Sequence, residues 1–195
     1  MTSPTKAELR ARLSSARRKV TPEAREREAA ALAGHLAGFA PAGRTVCAYV
    51  PVGSEPGSLV LLDELLALGA RVLLPVAQHD DADAPLPLRW GEYRPGHLVA
   101  ARFGLREPAP PWLAPDAVAE AAVVLVPALA VDRTGVRLGR GAGFYDRSLG
   151  SADPDALLIA VVRDDELVER LPSEPHDVRM THALTPGLGL VALQE

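Results

Sequence analysis

Val123-Val124-Leu125-Val126-Pro127 is a short, apolar and mostly β-branched stretch that ends at a proline. Such a run predicts a strand buried on both faces of a sheet. Four further runs predict buried strands of similar length, at residues 46–50, 72–75, 157–162 and 188–193. Leu86, Leu88 and Trp90 alternate with other residues, which predicts another strand and places Trp90 in the core.

Helical patterns separate these strands. The first helix is predicted to start at Ser3-Pro4 and to bury one stripe, formed by Leu9, Leu13, Ala16 and Val20. A second start, Thr21-Pro22-Glu23, combines a cap, a proline and an acid in the first turn. Its buried face is predicted at Leu32, Leu36 and Phe39, and residues 59–68 form a third helix that ends before Gly69.

The alternation of strands and helices predicts βαβ units. We therefore expect an α/β fold with three layers: an open, mostly parallel sheet with helices on both faces. The chain has 195 residues and a mass of 20.6 kDa, which fits a single domain spanning residues 1–195.

Composition excludes several classes of protein. The formal net charge is −4, whereas a nucleic-acid-binding domain is usually basic. No apolar run reaches the roughly 18 residues of a membrane span. The basic N-terminal segment lacks the apolar stretch of a secretory signal, and the single cysteine, Cys47, suits a reducing compartment as a buried thiol. We expect a cytoplasmic monomer that binds neither nucleic acid nor membrane.

In open α/β sheets, ligands bind at the carboxyl ends of the parallel strands. Three loops that follow predicted strands carry unusual chemistry, at residues 51–58, 132–147 and 163–177. We expect these loops to form the functional site.

Residues 137–147 are the most informative of these loops: Arg-Leu-Gly-Arg-Gly-Ala-Gly-Phe-Tyr-Asp-Arg. Alternate glycines leave backbone N–H groups open to an anion, and a helix starting at Phe144 adds its N-terminus. The pattern favours a phosphate cradle, and the alternative is a flexible surface loop with incidental arginines. Asp146 fits either an ion pair with those arginines or a divalent cation beside phosphates.

Known phosphate motifs do not match this loop. No Gly-Lys-Ser/Thr follows, so it is not a Walker A loop, and the third glycine is misplaced for a Rossmann fingerprint. Asp164 lies about twenty residues further on, where that fingerprint has its ribose-binding acid. A dinucleotide-dependent oxidoreductase therefore stays open as an alternative.

The stretch Val126-Pro127-Ala128-Leu129-Ala130-Val131-Asp132, followed by Gly135 to Arg147, resembles the signature of the 5-formyltetrahydrofolate cyclo-ligase family. The resemblance extends to Lys6-x-x-Leu9-Arg10, Glu55, Phe103-Gly104-Leu105-Arg106-Glu107-Pro108, Leu171-Pro172 and His176-Asp177-Val178. It implies an enzyme that uses ATP and Mg²⁺ to convert 5-formyltetrahydrofolate to 5,10-methenyltetrahydrofolate, with release of ADP and phosphate.

The same resemblance implies roles for individual residues. ATP is expected to bind at Lys6, Arg10, Arg137, Leu138, Gly139, Arg140, Gly141, Ala142, Gly143, Phe144 and Tyr145. The folate is expected to contact Glu55, Phe103 and Tyr145, and the groups expected to act in catalysis are Glu55, Arg137 and Tyr145. Asp146 and Asp177 are the expected Mg²⁺ ligands, with His176 as loop structure. The rival from another class is a non-catalytic nucleotide- or folate-binding regulator on the same scaffold.

Overall fold

The computed structural model describes residues 4–194, apart from the side chain of Phe103. Its main sheet has seven strands in the order β12-β11-β9-β6-β1-β2-β3. These strands are β1 (Thr45–Cys47), β2 (Arg71–Val76), β3 (Arg89–Glu92), β6 (Ala121–Pro127), β9 (Leu157–Val161), β11 (His182–Thr185) and β12 (Gly189–Ala192).

The five central strands, from β11 to β2, are parallel, and the edge strands β12 and β3 are antiparallel to their neighbours. Two small sheets lie beside this one. One contains β10 (Leu167–Val168), β7 (Ala130–Asp132) and β8 (Arg137–Leu138), and the other pairs β4 (Leu98–Ala100) with β5 (Arg106–Pro108). The α-helices are α1 (Lys6–Arg18), α2 (Pro22–His35), α3 (Leu59–Ala67) and α4 (Phe144–Ser148).

Both faces of the main sheet are buried, because successive side chains of a strand point to opposite faces. Val123 and Leu125 of β6 pack in one core with residues of α2 and α3. Val124 and Val126 pack in a second core with the 3₁₀ segment Pro115–Glu120 and with residues at and after α4. The three-layer, mostly parallel α/β architecture is therefore confirmed, with shorter helical segments on the second face.

Helix α1 differs from its predicted form. Its cap is Thr5, whose side chain accepts from the Glu8 N–H while the Glu8 carboxylate accepts from the Thr5 N–H. This capping box fixes the start at Lys6. The expected start at Ser3 lies outside the described residues. The stripe was only partly right, since Leu9 is buried but Ala16 is exposed and Arg17 takes the buried position beside it.

Helix α3 matches its prediction closely, whereas α2 ends at His35, so Leu36 and Phe39 of its predicted face lie in and after the 3₁₀ segment Leu36–Gly38. Thr21 caps α2, Ser58 caps α3, and Gly69 follows α3 with a φ of 84°. The predicted strand around Leu86 begins later, at Arg89, and Leu86 is exposed, while Trp90 is fully buried as expected. The two small sheets and β11 had no prediction, because their strands contain only two to four residues.

Asp132 holds the loops around the carboxyl edge of the sheet together. Its fully buried carboxylate accepts hydrogen bonds from the backbone N–H groups of Thr134, Val136 and Leu171 at 2.8–3.0 Å. One side chain thus closes the turn before β8 and joins it to the segment that leads to Asp177. None of the helices within residues 4–194 has the length and apolar character that a membrane span needs.

Candidate active site

A cavity of about 660 Å³ opens at the carboxyl ends of the parallel strands. Its wall includes the backbone just after three of them, at Tyr49 after β1, Ala77 after β2 and Ala128 after β6. Residues from all three predicted loops line it, at 52 and 55, at 137 and 139–147, and at 174–177 apart from Pro175. The cavity therefore lies at the edge where the sequence predicts the functional site.

Residues 137–147, which we call the glycine-basic loop, form one side of this cavity. Gly141 and Gly143 have φ angles of 104° and 77°, a left-handed conformation that other residues rarely adopt. Gly143 precedes α4, so the backbone turns sharply from the loop into that helix. Arg10 of α1 donates from Nε to the carbonyl of Gly139 at 2.9 Å. The loop and the N-terminal helix thus present their basic groups to one cavity.

Arg137 is the buried cation of the loop, with a side chain that is only 6% exposed. Its Nη2 donates to Asp146, and its Nε has no hydrogen-bond partner among the described residues. The guanidinium carbon lies 5.7 Å from the centre of the Tyr145 ring. Burial raises the pKa of Tyr145, so its phenol stays protonated at neutral pH and can donate a hydrogen bond.

Lys6 reaches the opposite wall from the start of α1. Its ammonium lies 3.0 Å from Asp177 Oδ2 and 3.3 Å from Glu174 Oε2. Partial burial alone would raise the pKa of Asp177, but the Glu174 N–H and the Lys6 ammonium outweigh it and hold that pKa below 3.8. Asp177 is therefore an ionised group at neutral pH.

Glu55 faces the glycine-basic loop from the loop after β1. Its carboxylate accepts from the Val52 N–H at 2.9 Å and pairs with Arg140 Nε at 3.0 Å. The Glu55 side chain is 11% exposed, and this burial raises its pKa above the usual 4.5 in spite of Arg140. Arg140 itself is 55% exposed, and its Nη2 also donates to the Val52 carbonyl at 3.3 Å.

The two expected metal ligands line the same cavity, but each is paired with a cation: Asp146 with Arg137, and Asp177 with Lys6. Within the described part of the chain, the group of side chains placed to share an ion is Glu174, His176 and Asp177, and it does not include Asp146. His176 Nε2 lies 3.2 Å from Glu174, so it contacts that acid in the loop. The Mg²⁺ assignment stays a prediction.

The other predicted ATP contacts line the cavity, with one exception. Leu138 does not, because its side chain is buried with Leu9, Val136 and Leu171, and its carbonyl accepts from the Leu129 N–H. Leu138 therefore anchors the glycine-basic loop to the core and does not face the cavity.

The side chain of Phe103 lies outside the described residues, so its predicted contact with the folate stays untested. Phe144 packs edge to face against the His79 ring, with centroids 5.3 Å apart.

Several residues of the cavity had no predicted role in the site. They include Arg17, Tyr49, Leu88 and Arg106. Sequence reasoning missed Arg17 because it is one of many basic residues near the N-terminus. It missed Tyr49 because that residue lies in an apolar run that predicts a buried strand. Cys47 is fully buried, as expected, and burial raises the pKa of its thiol.

Asp164 does not support the dinucleotide alternative. It is absent from the cavity wall, and its carboxylate accepts from the Thr185 hydroxyl and from the N–H groups of Gly187 and Leu188. Asp164 therefore fixes the turn between β11 and β12 rather than a ribose.

Comparison with known proteins shows the family to which this chain belongs. The family model described as the 5-formyltetrahydrofolate cyclo-ligase family matches residues 2–186. A 5-formyltetrahydrofolate cyclo-ligase of Mycolicibacterium smegmatis is 65% identical over the full length of both chains. The cyclo-ligase of Escherichia coli K12 is 30% identical over 87% of this chain and 94% of its own.

Solved structures of two related synthetases have a similar fold. The 5,10-methenyltetrahydrofolate synthetase of Aquifex aeolicus matches with a TM-score of 0.79 at 25% identity, over 97% of this chain and 93% of its own. The synthetase of Mycoplasma pneumoniae shows the same fold, with a TM-score of 0.68 at 16% identity over 91% and 96% of the two chains. From the signature loop, the cavity it lines and these matches over nearly the whole chain, we conclude that this protein belongs to the 5-formyltetrahydrofolate cyclo-ligase family of ligases.

Proposed function

We propose that this protein uses ATP and Mg²⁺ to convert 5-formyltetrahydrofolate to 5,10-methenyltetrahydrofolate, with release of ADP and phosphate. One observation carries the proposal: a single cavity combines a glycine-basic loop suited to phosphates with a buried carboxylate, Glu55, that faces it. The names of the relatives support the same reaction.

The chemistry begins with an unreactive amide. The formyl oxygen on N5 attacks the γ-phosphorus of ATP, the bond to ADP breaks, and the formyl carbon becomes electrophilic. N10 of the same folate then attacks that carbon, loses its proton, and phosphate leaves with the former formyl oxygen. Because N10 belongs to the same molecule, its effective concentration at the carbon is high. The protein's task is therefore to position the reactants and stabilise charge.

The nucleotide phosphates bind, in this proposal, between the glycine-basic loop and α1. Backbone N–H groups of Gly139, Gly141 and Gly143 approach the phosphates closely, and Arg137 and Arg140 supply charge. Lys6 and Arg10 reach the same cavity from α1. Arg137 is held in place by Asp146 through Nη2, and its Nε has no hydrogen-bond partner among the described residues.

The folate lies against Glu55 and Tyr145. A carboxylate can accept hydrogen bonds from ring N–H groups, and the protonated Tyr145 can donate one. Apolar cavity residues such as Leu88 and Leu105 offer a surface for the flat ring. Glu55 and Tyr145 thus hold the formyl group toward the γ-phosphate, and Arg137 stabilises the charge that develops there.

The cavity offers carboxylates suited to a magnesium ion, although Asp146 does not belong to the group of described side chains that is placed to share one. Mg²⁺ prefers one or two carboxylates together with phosphate oxygens and water, and Asp146 and Asp177 both line the cavity. When bound, the ion would neutralise charge on the phosphates. Asp146 would exchange part of its contact with Arg137 for the ion, and Asp177 part of its contact with Lys6.

The remaining features of this proposal concern the cellular setting. We infer a cytoplasmic monomer whose partners are ATP and a reduced folate, without nucleic acid or membrane. The net charge of −4 argues against nucleic acid as a partner, and the single buried cysteine suits a reducing compartment. Sedimentation of the purified protein would test the monomer directly.

The test of the proposed reaction is a spectroscopic one, because the conjugated methenyl product absorbs in the near ultraviolet. The purified protein is incubated with 5-formyltetrahydrofolate, ATP and Mg²⁺, with each omitted in turn. We expect absorbance to rise only in the complete mixture, in step with ADP. A protein that binds both ligands without forming product would be the regulator considered above.

A further inference from the structure

The most unusual buried contact outside the predicted site is between Arg17 and Glu166. Arg17 is 1% exposed and Glu166 is 3% exposed. Arg17 Nε lies 2.6 Å from Glu166 Oε1, and Arg17 Nη2 lies 2.7 Å from Glu166 Oε2. This two-pronged geometry fixes both planar groups relative to each other. Most buried residues of the chain are apolar, so the pair needs an explanation.

Arg17 shares a helix face with the basic residues of the site. At 100° per residue, positions 6, 10 and 17 of α1 point within about 40° of one another. Lys6 and Arg10 occupy the cavity from this face, and Arg17 also lines it. Helix α1 therefore contacts the rest of the domain through Leu9 near its start and through Arg17 near its end.

The partners of Arg17 lie at the ends of two central strands. Glu166 follows β9, and its Oε2 also accepts from the Arg163 N–H at 2.8 Å. Arg17 Nη2 donates in addition to the carbonyl of Ala128, which follows β6 and lines the cavity. One guanidinium thus ties α1 to the carboxyl edge of the main sheet.

Arg163 links the Arg17–Glu166 contact to the loop that carries Glu55. Arg163 pairs with Glu28 of α2 at 2.8 Å and lies 3.7 Å from Glu166. Its Nη1 donates to the carbonyl of Ser54 at 3.3 Å, next to Glu55. The buried network therefore connects α1 with the loop that carries Glu55.

We propose that Arg17 and Glu166 form a positioning pair, which fixes α1 so that Lys6 and Arg10 reach the nucleotide phosphates. The proposal rests on the function proposed above and adds two residues that act through Lys6 and Arg10. Buried ion pairs are often no more stabilising than apolar residues of similar size, so stability alone is a weak reason to keep one here. Its directional geometry gives α1 a single position along the sheet edge.

The test uses variants that separate position from stability. Arg17→Met combined with Glu166→Gln removes both charges together, which avoids leaving one of them buried alone, and the amide oxygen can still accept from the Arg163 N–H. Arg17→Lys keeps the charge but loses the two-pronged contact. Arg18→Ala is the matched control, because Arg18 is the exposed neighbour on the same helix. Each protein is examined by thermal unfolding, by calorimetry with a non-hydrolysable ATP analogue, and by the KM values for ATP and for folate.

We expect the double variant to bind the analogue about tenfold or more weakly, with a matching rise in KM for ATP. The KM for folate should change much less, because Arg163 keeps its own contacts with Glu28 and with the Ser54 carbonyl in this variant. Arg17→Lys should show a smaller loss, and Arg18→Ala should behave as the wild type. Nucleotide binding like that of the wild type in a folded double variant would overturn the proposal. Equal losses for both substrates that follow a lower melting temperature would also overturn it.

Two further readouts keep the outcome decisive. If the double variant does not fold, the ratio of the two KM values in Arg17→Lys decides alone. Calorimetry needs no turnover, so it tests the pair even if the wild type forms no methenyl product. Absence of product from the wild type would refute the proposed function, whereas unchanged analogue binding would refute only the positioning pair.

Discussion

At the scale of single residues, the site depends on a carboxylate that is buried yet has to be charged. Glu55 pairs with Arg140 and accepts from the Val52 N–H. Burial raises its pKa, so the folded protein holds a proton at Glu55 more tightly than the unfolded chain does. Glu55 therefore contributes to stability below pH 4.5, and this contribution is lost as the pH rises through the raised pKa.

We predict that Glu55→Gln leaves nucleotide binding nearly intact while methenyl formation falls on the order of a hundredfold, since folate is no longer held within about 1 Å of its reactive position. Calorimetry and absorbance on one preparation measure the two effects. In the wild type, turnover should decline on acidification at a higher pH than an ordinary glutamate would give. Equal loss of binding and turnover would make Glu55 a structural residue instead.

The two loop arginines should respond differently, although both are expected to bind phosphate. Arg140 is exposed, so solvent screens its ion pair with the buried Glu55 and the pair contributes little to stability. We predict that Arg140→Ala weakens ATP binding about tenfold or more, in keeping with one lost charge-assisted contact, without lowering the melting temperature. Arg137→Ala should weaken binding and also lower the melting temperature, because it leaves Asp146 without its buried partner. Unchanged ATP affinity in Arg140→Ala would refute the phosphate assignment.

A substitution at Asp146 can distinguish its ion pair with Arg137 from a role as a Mg²⁺ ligand. Asp146→Asn keeps the shape of the side chain, and we predict lost turnover with an intact fold, partly restored by excess Mg²⁺. The measurement is methenyl formation over a range of Mg²⁺ concentrations. Normal turnover at low Mg²⁺ would show that the carboxylate serves only as the partner of Arg137.

At the scale of elements, close backbone packing positions the loops. Gly135, in the turn before β8, has a φ of 82°, and an added Cβ would lie 2.3 Å from the carbonyl oxygen of Met180. We predict that Gly135→Ala costs about 1–3 kcal/mol, which corresponds to a melting temperature lower by roughly 2–12 °C. Gly150→Ala is the control, because nothing lies within 4 Å of its added Cβ. Equal melting temperatures for the two variants would contradict the importance of this turn.

Elements were predictable where a local pattern decided them. Strands β1, β2, β6 and β9 follow from apolar runs and the start of α2 follows from Thr21-Pro22, and the structure confirms them. The small sheets were missed because strands such as β8 contain two residues and depend on tertiary contacts. The same reason explains Arg17, whose burial depends on Glu166, 149 positions away.

At the scale of the whole molecule, the cavity was predictable because topology places the carboxyl ends of parallel strands at one edge. Which side chains meet there was harder to predict. Glu55 and Arg140 are separated by 85 positions, and their pairing follows only from the folded loops. The signature loop supplied the family, whereas the contacts of Lys6 and Asp177 required the structure.

The central claim is that ATP phosphorylates the formyl oxygen before N10 closes the ring. The most direct measurement uses 5-formyltetrahydrofolate labelled with ¹⁸O in the formyl group, incubated with the protein, ATP and Mg²⁺. Absorbance reports the methenyl product, and mass spectrometry reports the label in the released phosphate. We predict that product and phosphate form in equal amounts and that the phosphate carries the label. Unlabelled phosphate, or ATP cleavage without product, would contradict this account.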